Sequence, residues 1–161
     1  MADIGFQDIL DFWFSPEVVP VQFAEDPELD EKIRSRFLTT WEEGKDGLLA
    51  PWRKDIRGRV AEIIVLDQFS RNLWRSDRRS LSQDGMAVVL AQETVNHPDY
   101  DSLTLDEKKF VLLPFMHSES LAIHEQAAPY FEALNSEDTL RFEQMHIDVL
   151  KRFGRYPYQN A

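Results

Sequence analysis

Residues 60–74 constrain this chain more than any other stretch; they read VAEIIVLDQFSRNLW. At about 100° per residue, as an α-helix requires, Ile63, Leu66, Phe69, Leu73 and Trp74 fall on one apolar arc. The opposite arc starts with Val60, Ala61, Ile64 and Val65 and ends with Asp67, Gln68, Arg71 and Asn72. A solvated helix face is polar along its whole length. This one predicts a helix wrapped on all sides. Its C-terminal half then carries four hydrogen-bonding side chains into the interior or into a pocket.

The flanking sequence reads as further helices around it. Residues 4–14 are strongly apolar and stop at Ser15 and Pro16. Asp26 followed by Pro27 is an N-cap with proline at the first helical position; Leu29, Ile33, Phe37 and Trp41 then form a core stripe that Gly44 ends. Residues 76–80 are a charged loop, and residues 82–96 predict a helix closed by His97 and Pro98, with no role for His97. Thr104 and Glu107 make a capping box for a helix that Pro114 should kink or end. That break would leave His117 and Glu119 on irregular backbone. Residues 121–134 form the next helix, with His124 and Glu125 toward solvent. Ser136 caps a last helix to Phe153, stopped by Gly154. Its apolar arc holds Phe142, Met145, Val149, Leu150 and Phe153, with His146 among them as a core residue. No period-2 alternation is long enough for a sheet. The expected fold is all-α, built of antiparallel helical hairpins in a tetratricopeptide-like array or an irregular bundle. No strict repeat is visible.

Composition narrows the function classes. A chain of 161 residues has single-domain length. It has no cysteine, which excludes disulfides, thiolate metal sites and cysteine nucleophiles. No apolar run approaches a membrane span, and the N-terminus lacks the pattern of a secretory signal. A soluble, cytoplasmic protein is expected. A net charge of −11 argues against a nucleic-acid partner. Residues 53–79 are locally basic, with eight Lys or Arg against four acids. They read either as a surface balancing an acidic body or as a seat for an anion.

Four segments together resemble a known family. They are FQDILDFWF at 6–14, GRVAEIIVLDQFSRN at 58–72, LLPFMHSE at 112–119, and HIDVLKRFGRYPYQN at 146–160. In order and over nearly the whole chain, they are similar to the bacterial proteins grouped as domain of unknown function 924. The resemblance implies an all-helical, tetratricopeptide-like fold and no particular activity. Members of that family run further at the C-terminus, so a tail is expected to be missing here. The family's polar motif positions fall on Asp67, Gln68, Arg71, Asn72, His117, Glu119, His146, Asp148, Arg152, Arg155 and Asn160.

Two functions follow from these residues. In the first, a pocket formed by Asp67, Gln68, Arg71, Asn72, His117, Glu119, His146 and Arg155 binds a small anionic molecule or a peptide terminus, with Arg71 gripping the anion and the amides orienting it. In the second, His117, Glu119, His146 and Asp67 serve acid–base catalysis, and Arg71 stabilises developing negative charge. The two histidines and two carboxylates suit zinc or iron in type. No helix carries two of them at ligand spacing, so no metal or cofactor is assigned. There is no Gly-rich phosphate loop or nucleophile elbow. Ser70 and Ser118 are weak nucleophile candidates. The sequence leaves oligomeric state open.

Overall fold

A computed structural model describes residues 4–159, and these fold into helices with no strand among them. The α-helices are α1 (Phe6–Trp13), α2 (Pro27–Lys45), α3 (Ile56–Ile63), α4 (Ser70–Leu73), α5 (Asp84–Val95), α6 (Leu105–His117), α7 (Leu121–Ala133) and α8 (Glu137–Phe153). A π-helical segment, Ile64–Phe69, joins α3 to α4 without a break. No helix among the described residues is long and apolar enough to cross a membrane.

Local chemistry sets most of the boundaries. Asp26 Oδ1 accepts from the backbone N–H of Glu28 and Leu29 at 2.9 and 3.2 Å, and Pro27 opens α2. Thr104 and Glu107 close their capping box at 3.1 and 2.8 Å. Gly154 ends α8 in the left-handed region, φ 72°, a conformation glycine adopts without a Cβ penalty. Pro114 does not end α6. The helix runs through it to His117, and the irregular backbone starts at Ser118. Helices tolerate an interior proline when packing outweighs the lost hydrogen bond, and residues 110–116 are all buried.

The central run is enclosed as its pattern requires: every residue from 60 to 70 is buried. The α2 stripe Leu29, Ile33, Phe37 and Trp41 lies against it. Phe69 stacks on Phe37 at 5.4 Å and meets Trp13 edge-on at 5.8 Å. Trp41 Nε1–H donates to Ser70 Oγ at 2.8 Å, so even the small polar residue on this face is satisfied. From α5 onward each helix packs on the next. In the first half the order is mixed: α1 packs on α3, and α2 packs on the π segment and α4. These contacts describe a bundle gathered round one buried helix and do not establish a repeat.

Five of the eight basic side chains in residues 53–79 pair with carboxylates. Arg53 makes a bidentate pair with the fully buried Glu62 at 2.8 and 2.7 Å. Arg57 reaches Glu107, Arg75 reaches Asp30, and Arg79 pairs with Asp77. The Arg53–Glu62 pair clamps the turn Ala50–Lys54 onto α3. That contact is close enough to need Gly58: a Cβ there would lie 1.9 Å from the Trp52 carbonyl oxygen. Replacing an exposed mid-helix glycine by alanine gains roughly 1 kcal/mol. Gly58→Ala is instead expected to lose about 1–3 kcal/mol, because a backbone must move. Thermal unfolding checks the sign; a raised Tm would mean that the turn does not sit on α3.

The last helix turns most of its apolar arc outward, Leu150 excepted. Phe142, Met145 and Phe153 are about half exposed, whereas Thr139, Glu143 and Leu150 are buried. His124, expected in solvent, is 1% exposed. The two corrections share one cause. His124 lies on the inward stripe of α7 with Ala127 and Phe131, and α8 turns Glu143 toward it.

Candidate functional site

Asp67 is the hub of the site. It lies in the π segment, a helical irregularity often found at functional positions, and is wholly buried. Its Oδ1 accepts from His117 Nδ1–H at 2.8 Å and from Arg71 Nη1–H at 2.9 Å, and its Oδ2 accepts from Gln68 Nε2–H at 3.0 Å. Burial pushes its pKa up. The charges of His117 and Arg71, with the hydrogen bonds from His117 and Gln68, more than reverse this and hold the carboxyl below its usual range. An ionised carboxylate only accepts, so His117 donates from Nδ1, and Nε2 is the ring nitrogen left outside this contact.

Arg71 is held between two acids. Besides Asp67, it makes a bidentate contact with Asp84 at 2.9 and 3.1 Å. Burial works against its charge, but Asp67 and Asp84 raise its pKa further, so it stays cationic. Asp84 moves up, because burial outweighs the pull of Arg71. One arginine thus joins two carboxylates whose environments drive them apart, a pattern associated with divided acid and base roles.

A cavity of about 500 Å³ opens in front of this network. Gln68, Arg71, Asn72, His117 and His146 all line it, together with Arg75, Lys109, Leu113, Met116, Phe23 and Phe142. Asn72 Nδ2–H donates to Asp30 at 2.9 Å. His146 donates Nδ1–H to the Phe142 carbonyl at 2.7 Å. Burial, then the nearby imidazoles, keep its pKa below the usual range. Two imidazoles, each tied down through Nδ1, therefore border one space.

The remaining expected residues lie elsewhere. Glu119 lines a smaller cavity of about 290 Å³ that also touches His117 and Asp84, and its Oε2 accepts from Tyr156 N–H at 2.7 Å. Arg155 is exposed and lines neither cavity. Asp148 pairs with Gln144 on the exposed side of α8, and Arg152 lies over Phe153. Asn160 lies outside the described residues. Among those residues, no group of three or more His, Cys, Asp or Glu is placed to hold a metal ion.

Behind the cavity is a second buried network that sequence reasoning missed. His124 Nδ1–H donates to Glu143 Oε2 at 2.6 Å and Nε2–H to the Ser118 carbonyl at 2.7 Å. Both partners are acceptors, so the ring is an imidazolium. Burial lowers its pKa, but the bonds to Glu143 and Ser118 raise it overall. The buried Tyr156 hydroxyl lies 2.7 Å from the Met116 carbonyl and 2.8 Å from that of Ser118. Those two carbonyls flank His117, so this network fixes the backbone that carries the imidazole.

The family model described as "Bacterial protein of unknown function (DUF924)" matches residues 9–161. A solved structure of a protein of unknown function from Agrobacterium tumefaciens is similar at 28% identity, with a TM-score of 0.88. The match covers 96% of this chain and 87% of that one. No curated protein matches.

Proposed function

This chain belongs to the bacterial DUF924 family, which brings no activity with it, and we propose from its own geometry that the larger cavity is a small-molecule site in which His117 acts as general base. One observation carries the reading: the buried Asp67 holds His117 through Nδ1 at 2.8 Å, which leaves Nε2 as the ring nitrogen available to a ligand in the cavity His117 lines. A carboxylate behind an imidazole sets its tautomer and stabilises the imidazolium that forms when it takes a proton. Gln68 and Asn72 offer hydrogen bonds for orientation, and the imidazolium formed on His117 holds the proton for its return. The reaction class is proton abstraction from the ligand, or activation of a hydroxyl or water against it.

Pure binding through Arg71 has less support. Its guanidinium already faces Asp67 and Asp84, so an incoming carboxylate or phosphate would have to compete with both.

The test is an activity screen over ester, amide, phosphoester and keto-acid substrates, with His117→Gln as the control. General acid–base groups contribute roughly 10²- to 10⁴-fold. Any turnover found should fall by that factor in the variant while the melting temperature is kept. Turnover that survives His117→Gln would rule the role out.

A further inference from the structure

We propose that the ligand of this cavity is an organic anion with an apolar body, seated by its charge on Lys109 and not on either arginine; the proposal rests on the general-base reading of His117. Three cations line the cavity, and they differ in what already faces them. Arg71 has Asp67 and Asp84. Arg75 makes a bidentate pair with Asp30 at 2.6 and 3.2 Å and also donates to the Ala24 carbonyl. Lys109 has no carboxylate within 4.0 Å among the described residues. Its ammonium sits 4.7 Å from the ring centroid of Phe23, which in turn stacks on Phe110 at 5.7 Å. The aromatic face holds the cation in place without neutralising it. The fourth charged group in the lining, Asp138, is exposed and pairs with Arg141 at 3.0 Å.

One helix sets the order of the chemistry. Lys109, Leu113, Met116 and His117 occupy positions i, i+4, i+7 and i+8 of α6, which lie along one face. At 1.5 Å per residue, Lys109 and His117 are about 12 Å apart along the axis. Between them the wall is Leu113 and Met116, with Phe142 from α8 also lining the space. A ligand laid along this face meets a cation, then apolar side chains, then a base. A lysine ammonium acts as a point charge and grips a carboxylate or a phosphate alike. The matching molecule carries one such group, an apolar middle and a transferable proton or activated bond at the far end.

Binding of 5-phenylpentanoate and of its primary amide, followed by calorimetry and by the His117 Cε1–H resonance, tests this. Wild type is expected to bind the acid about tenfold more tightly than the amide, the ratio one charged contact of ordinary strength supplies. Lys109→Met keeps the aliphatic stem over Phe23 and should abolish that preference without weakening the amide. Lys109→Arg should restore it, and its restoration separates charge from folding. Equal binding of acid and amide to wild type, a preference that survives Lys109→Met, or no binding of either probe at millimolar concentration would each overturn the seat. The two readings fail separately. A Lys109-dependent preference with no movement of the His117 resonance supports the seat and counts against the base. Equal binding that still moves that resonance does the reverse.

Discussion

Asp67→Ala should lower the free energy of unfolding by about 3–5 kcal/mol, the range seen when one partner of a buried charge pair is removed. The carboxylate is shared by His117, Arg71 and Gln68. Without it Arg71 keeps Asp84, which holds the loss toward the lower end, but His117 Nδ1–H and the Gln68 amide face an empty space. Asp67→Asn fills that space and removes only the charge, so a smaller loss is expected. Urea denaturation at neutral pH measures both. A loss under about 1 kcal/mol for the alanine variant would mean that the carboxylate is not enclosed. The pH dependence follows from the sign of the shift. The folded-state pKa of Asp67 lies below that of an ordinary aspartate. Its contribution is therefore complete above that value and is lost as pH falls through the folded pKa. The gap between wild type and Asp67→Ala should narrow in strong acid and stay constant near neutrality.

The buried helix was legible because hydrophobic periodicity reports enclosure directly. Glu62 aside, residues 60–66 are apolar on both arcs until Asp67, and only a wrapped helix accepts that pattern. The inward placement of Asp67, Gln68 and Asn72 was legible for the same reason, since polar side chains on a wrapped helix have no solvent to face. The π segment was not. A wheel drawn at uniform spacing cannot show where Ile64–Phe69 widens, because nothing in local propensity marks an i→i+5 turn. His124 and α8 mark a different limit. Polarity was allowed to decide their orientation, when position did: His124 shares a stripe with Ala127 and Phe131, and Glu143 lies one turn from Thr139 on the inward side. A buried ion pair defeats a rule that sorts residues by hydropathy, because each partner looks exposed until the other is known. Asp84, Lys109 and Tyr156 reach the site by tertiary packing alone, and no spacing announces them.

Glu143→Ala is the second large effect, and its pH dependence makes it diagnostic. Wild-type His124 is an imidazolium between Glu143 Oε2 and the Ser118 carbonyl, and its folded pKa lies above 6.5. A raised basic pKa stabilises fully below the unfolded value, and that stability is lost as pH rises through the folded value. Removing Glu143 reverses the slope. Burial alone then opposes the charge, so the variant loses stability as pH falls through the imidazole range. The difference between the two proteins should reach about 3–5 kcal/mol below pH 6.5 and shrink in alkali, where the variant keeps a neutral ring donating to Ser118. Burial lowers the His146 pKa, and Glu143 acts on it less than burial, the Phe142 carbonyl and His117 do, so it shifts both curves nearly alike. Denaturation curves from pH 5 to 9 decide it. A difference that does not vary with pH would mean that His124 is neutral in the native protein. The turn carrying His117 would then be held by Tyr156 and the Ser118 carbonyl without a charge beneath them.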